Sequence, residues 1–139
     1  MKIIIFALIT VFLLIECIGS IDKIIIDDYQ YQNAERDPVT INNIQLIKDI
    51  IRFNVSYGGG CEDHIFKLIS TSFMESNPVQ VNIVLSHEDN DDPCDMWITE
   101  TYTFNISPLK ESYKELYNEE TGSIIMNIEG YNEPMEYSF

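Results

Sequence analysis

Basic residues are scarce in this chain. Eight Lys and Arg stand against 23 Asp and Glu in 139 residues, giving a formal net charge of -15 and a pI near 4.2. A chain with no basic stripe has no means of releasing counterions from a phosphate backbone, so nucleic acid is excluded as a partner. It also has no direct electrostatic attraction to an anionic membrane surface. Histidine occurs only twice, tryptophan once and cysteine three times. There is no G-x-S-x-G turn, no H-E-x-x-H and no phosphate-binding loop, so no motif marks an enzyme and the chain is read as non-catalytic. Internal repeats, long linkers and low-complexity stretches are also lacking, and the length accommodates one domain. What is present is apolar: 45% of residues are hydrophobic and 12% aromatic, too many for a disordered acidic tail.

The longest hydrophobic run is at the start. Met1-Lys2 followed by Ile3 to Ile15 has the short positive start and apolar stretch of a secretory signal peptide, and it falls short of the roughly 20 apolar residues that span a bilayer. Two cleavage readings stay open. A small-x-small site at Cys17-Ile18-Gly19 would release a chain beginning at Ser20, whereas Leu14-Ile15-Glu16-Cys17 has the form of a lipobox in which Cys17 is lipidated. Residues 1–19 are thus expected to be a signal peptide, residues 20–139 the domain, and any membrane attachment a lipid anchor. Either cleavage leaves Cys61 and Cys94 as the remaining thiols, and outside the cytosol two such thiols are expected as a disulfide. Closing a loop of that length stabilises a fold by about 4 kcal/mol in the chain-entropy model.

Strand periodicity dominates the mature chain. Lys23 to Tyr31 reads as a first strand and Thr40 to Ile47 as the next, after a turn at Pro38. Ile51, Phe53, Val55 and Tyr57 alternate with Arg52, Asn54 and Ser56, the pattern of a half-buried strand. Gly58-Gly59-Gly60 is expected to break it. Further strands are read at His64 to Ile69, Val79 to His87, Trp97 to Ile106, Ser123 to Ile128 and Met135 to Phe139. Ser107-Pro108 reads as the N-cap and first residue of a helix with an apolar stripe of Leu109, Tyr113, Leu116 and Tyr117. The expectation is a mainly β fold, a single antiparallel β-sandwich with one short crossover helix around residues 108–118, immunoglobulin-like in architecture. Trp97 follows both cysteines, so immunoglobulin topology does not follow.

One constellation gathers every cysteine and histidine of the mature chain: Cys61-x-x-His64 and His87-x6-Cys94, at the ends of neighbouring apolar strands. Alternation turns both imidazoles inward. Reduced, the four side chains are a tetrahedral zinc set; with the disulfide closed, His64 and His87 remain candidate ligands for zinc or copper. The plainer reading is a disulfide that staples two strand ends, with the histidines bonded to the loops. The acidic run Glu88 to Asp95 offers Asp89, Asp91, Asp92 and Asp95 to calcium, although Pro93 interrupts the usual order of ligands and a solvated acidic loop reads as well. Glu100 stands on the same face as Tyr102 and Phe104, which calls for a strand-end position or pairing with Arg52 or Lys67.

Three segments in order, Tyr57-Gly58-Gly59-Gly60-Cys61-x-x-His64-x-Phe66-x-Leu68, Leu85-x-His87 with Asp92-x-Cys94, and Phe104-x-Ile106-x-Pro108-Leu109, carry a family likeness. Over residues 50–110 the chain resembles a group of small uncharacterised bacterial secreted proteins and lipoproteins. The resemblance implies a compact extracytoplasmic β domain and brings no activity or substrate with it. The expected function is an exported, monomeric binding or structural module for a protein or small ligand, with a zinc- or copper-binding protein as the alternative.

Overall fold

The computed structural model describes residues 20–139; the expected signal peptide over residues 1–19 and the lipidation candidate Cys17 lie outside the described residues. The described residues are mainly β, with two sheets and two helices. In order the elements are β1 (Asp22–Lys23), β2 (Ile25–Ile26), α1 (Asp28–Gln32), β3 (Thr40–Ile47), β4 (Ile50–Gly59), β5 (Ile65–Ser70), β6 (Val79–Glu88), β7 (Met96–Asn105), α2 (Ser107–Tyr117), β8 (Ser123–Ile128) and β9 (Met135–Ser138). The first sheet runs β1-β7-β4-β3 and the second β2-β5-β6-β8-β9.

The alternation read in the sequence is what builds the core. Ile51, Phe53, Val55 and Tyr57 of β4 are buried, as are Val81, Ile83 and Leu85 of β6 and Ile124, Met126 and Ile128 of β8. Each such side chain contributes roughly 1.5–3 kcal/mol by leaving water. Strand pairing is mixed where an antiparallel sandwich was expected. The β3–β4, β4–β7, β5–β6 and β8–β9 pairs are antiparallel, whereas β1–β7, β2–β5 and β6–β8 are parallel. A parallel β6–β8 pair requires a crossover, and β7 followed by α2 supplies it.

Several local readings are corrected. Lys23 to Tyr31 is not one strand. The chain pairs with β7 at Asp22–Lys23, buries Ile24, pairs with β5 at Ile25–Ile26 and then turns into α1. Asp27 is the reason, since its carboxylate caps α1 by accepting from the Gln30 N–H at 2.8 Å. The glycine run does not end β4 at once, for Gly58 and Gly59 pair with Trp97 and Met96. The break comes at Gly60, whose φ of +115° suits glycine. Ser107 is the first helical residue of α2 and not its cap; Asn105 Oδ1 accepts its N–H at 2.8 Å. Trp97 is 68% exposed, unlike the buried tryptophan of an immunoglobulin core. Among the described residues, no helix is long and apolar enough to cross a membrane.

The stripe on α2 is also narrower than its spacing implies. Leu109 is 0% exposed and Leu116 65% exposed. Leu109→Ala is therefore expected to cost about 2–5 kcal/mol in urea denaturation, and Leu116→Ala no more than about 0.5 kcal/mol. Equal costs would contradict this seating of the helix.

Candidate functional site

At one end of the sandwich, β4 finishes beside the start of β7, and β5 begins where β6 ends. The two connecting loops meet there. Cys61 and Cys94 form a disulfide with Cα atoms 5.7 Å apart, as the compartment argument expected. Beneath it lies Asp92. Its Oδ2 accepts the backbone N–H groups of Gly60 (2.8 Å), Cys61 (3.0 Å) and Glu62 (3.0 Å), and Oδ1 accepts the N–H of Cys94 (2.8 Å). One carboxylate thus ties together both loops that carry the cysteines. Gly59 makes this possible, because a Cβ there would stand 2.6 Å from His64 Nε2 and 3.0 Å from Asp92 Oδ2.

The histidines extend the network inward. His64 Nε2 lies 3.1 Å from Asp92 Oδ2, His64 Nδ1 lies 2.8 Å from His87 Nε2, and His87 Nδ1 lies 3.1 Å from the carbonyl oxygen of Asp37. Both outer partners are acceptors, so both outer ring nitrogens must carry hydrogen. The His64–His87 contact needs one more. Three protons on four ring nitrogens give the pair one positive charge, opposite the Asp92 carboxylate. Burial, reinforced by the neighbouring His64, holds His87 below the usual histidine range against the opposing pull of the Asp37 carbonyl. The His64 side chain is 2% exposed and that of Asp92 1%. Burial pushes the Asp92 carboxyl up, but the N–H groups of Glu62, Cys94 and Cys61 and the His64 ring more than reverse it, leaving it well below the ordinary carboxylate range.

Aromatic rings enclose the pair. Phe66 stacks on His87 with centroids 4.4 Å apart and planes 8° apart, and Tyr57 lies 4.7 Å from His64. Tyr57 and Tyr102 both donate their hydroxyls to Glu100 Oε2, at 2.9 and 2.6 Å. The two hydroxyls, Tyr102 first, lower the Glu100 carboxyl, while burial and the carboxylate raise the Tyr102 phenol. Glu100 therefore takes tyrosine hydroxyls and not Arg52 or Lys67. With His64 these three residues border an open concavity of about 310 Å³.

The sequence candidates divide accordingly. Cys61, Cys94, His64, His87 and Asp92 converge. The two sulfurs are joined to each other, so no thiolate pair remains for zinc in this arrangement. Every ring nitrogen of His64 and His87 is engaged in a hydrogen bond, including the two that face each other, which leaves no free lone pair for zinc or copper. The calcium set does not assemble. Asp92 is turned inward, Asp89 Oδ1 accepts the Asp91 N–H at 2.9 Å, and Asp95 is exposed. Among the described residues, the one group of three or more His, Cys, Asp or Glu ligand atoms within 4.8 Å of each other is Cys61, Asp92 and Cys94, where the sulfurs are joined in the disulfide. The Tyr57–Glu100–Tyr102 cluster had no motif; its only signal was an acid sharing the Tyr102 and Phe104 face of β7, and Glu100 is itself exposed.

No protein-family model matches the chain, and no curated protein matches it. Solved structures do. A toxin-related protein from Parabacteroides distasonis shares 21% identity over 86% of this chain and 60% of its own, with a TM-score of 0.50. A NigD-like immunity protein from Bacteroides caccae shares 16% over 84% and 58%, with a TM-score of 0.53. A DUF1344 protein from Bacteroides vulgatus shares 14% over 86% and 56%, with a TM-score of 0.51. The likeness is one of fold, and this chain spans less than two thirds of each of those proteins.

Two measurements test the cluster. Gly59→Ala should destabilise the fold by about 1–3 kcal/mol, as overpacking does. Gly58→Ala, whose Cβ would meet only the Asp95 Cα at 3.9 Å, should change stability far less; equal effects would refute the close approach at Gly59. His87, held low by burial, takes up a proton below about pH 6.5 when unfolded but not when folded. Its contribution is thus complete above that pH and is lost on acidification. The stability advantage of the wild type over His87→Gln should shrink from about pH 7 to pH 5 in urea titrations. An advantage that stays constant would exclude a neutral, buried His87.

Proposed function

We propose that the chain is an exported, non-catalytic binding module that works outside the cytosol, with the Cys61–Cys94 end as a clasp holding its loops in place. The observation that carries this reading is the closure of that end on itself. The disulfide, Asp92 and the two histidines bond to one another and to loop backbone, an arrangement that fixes structure and offers no free nucleophile or base. Disulfides of this kind persist in oxidising compartments, the apolar start of the chain has the form of an export signal, and the resemblance over residues 50–110 is to secreted proteins and lipoproteins. Cleavage after Gly19 or lipidation of Cys17 sets whether the module is free or anchored.

Native mass spectrometry of the protein recovered after export with its own leader tests this. The expected species is an oxidised chain, two hydrogens lighter than the reduced form, beginning at Ser20 or at a lipidated Cys17. Its reduction should lower stability by about 4 kcal/mol. A reduced chain carrying one zinc or copper would overturn the clasp and make Cys61, His64, His87 and Cys94 a metal site.

A further inference from the structure

The outer side of the first sheet differs in chemistry from the rest of the molecule. Register places Gln45, Arg52 and Thr103 in one outward row, and Asn43, Asn54 and Thr101 in the next. None of the outward positions of β3, β4 and β7 is a carboxylate, in a chain with 23 acidic residues. Arg52 is exposed and, among the described residues, has no ion pair or side-chain hydrogen bond. It borders a concavity of about 380 Å³ shared with Asn43, Gln45, Asn54 and Thr101.

The amides and hydroxyls beside it are already positioned. Asn42 Nδ2 donates to Asn54 Oδ1 (3.1 Å) and Ser56 Oγ (2.8 Å), Ser56 Oγ lies 2.8 Å from Thr99 Oγ1, and Asn54 Nδ2 donates to Thr101 Oγ1 (3.4 Å). Such a ladder fixes rotamers before any ligand arrives, which lowers the entropic cost of binding. At the far end of the same face stands Trp97, 68% exposed and opposite Gly58, where the Asp95 Cα lies 3.9 Å from the place a Gly58 Cβ would take. From the Arg52–Thr103 row to the Gly58–Trp97 row is about 20 Å along the strands, the reach of a short oligosaccharide and too long for one sugar.

We propose that this face binds an oligosaccharide bearing one carboxylate. Arg52 takes the carboxylate of an acidic sugar in a bidentate grip, Gln45, Asn54 and Thr101 exchange hydrogen bonds with ring hydroxyls, and the Trp97 indole packs on the apolar face of a sugar further along the chain. Groups that both donate and accept match vicinal hydroxyls. A peptide strand would use main-chain bonds at a sheet edge, and this is a face. The net charge of -15 repels a polyanion, so the ligand carries its single charge among neutral units. This inference rests on the reading of the chain as a binding module, and the site is separate from the clasp.

The test is a printed array of oligosaccharides that each carry one glucuronate, galacturonate or sialate on a neutral chain, beside their uncharged counterparts and a short acidic peptide, followed by calorimetry on the best member. At least one acidic oligosaccharide should bind about tenfold more tightly than its neutral counterpart. Arg52→Gln should remove that preference, and Trp97→Ala should weaken binding to the whole oligosaccharide. Both variants lie on the exposed face and should keep the disulfide and the unfolding midpoint. No acidic preference, equal binding of the acidic peptide, or binding unchanged in both variants would overturn the proposal. A silent array on an oxidised chain removes the ligand but leaves the clasp, whereas a reduced, metal-loaded chain removes the module reading whatever the array shows.

Discussion

Asp92 holds the disulfide-bonded end of the molecule together. Its carboxylate gathers the N–H groups of Gly60, Cys61, Glu62 and Cys94 and faces the His64 ring. A carboxylate buried as this one is would be costly without donors. Here the loops and the charge answer each other. The disulfide adds a covalent limit on how far the same two loops separate, but Asp92 sets their positions. His64 then seats His87, and His87 is tied to the segment before β3 through the Asp37 carbonyl and through backbone bonds with Glu35 and Asp37. Loops that precede β3, follow β4 and follow β6 are thereby connected through one chain of polar contacts.

Much of this was legible in the sequence, for a physical reason. Period-two alternation at Ile51 to Tyr57 and Val79 to His87 reports burial directly, and it correctly turned His64 and His87 inward. Compartment chemistry paired Cys61 with Cys94. What failed were short-range polar effects that periodicity does not register. Asp27 caps a helix where a strand pattern continued, and Asn105 serves α2 where Ser107 looked like the cap. Asp92 was hidden among acids of the same loop, and only its position two residues before Cys94 distinguishes it. Glu100 stood out as an acid on the Tyr102 and Phe104 face, but composition suggested a cation as its partner, and the fold supplied Tyr57 and Tyr102.

The clasp and the outer face of the first sheet differ in how their polar groups are used. Around His64 the donors and acceptors are matched internally and enclosed by Phe66 and Tyr57, so water and ligands gain little there. On the outer side of the first sheet, the ladder buries Ser56 and satisfies part of the capacity of Asn42, Asn54 and Thr99, which stand toward the outer face. Rigidity arises from the first arrangement and recognition chemistry from the second, within one small β fold.

The crossing at Ile24 has a kinetic meaning. Asp22–Lys23 completes the first sheet against Phe104 and Asn105, and Ile25–Ile26 completes the second against Ile69 and Ser70. In the sequence this segment precedes both of its partners, β5 and β7, by long stretches of chain. Its pairing therefore waits for strands that lie far along the chain: the edge of the second sheet stays open until β5 has formed, and that of the first until β7 has formed.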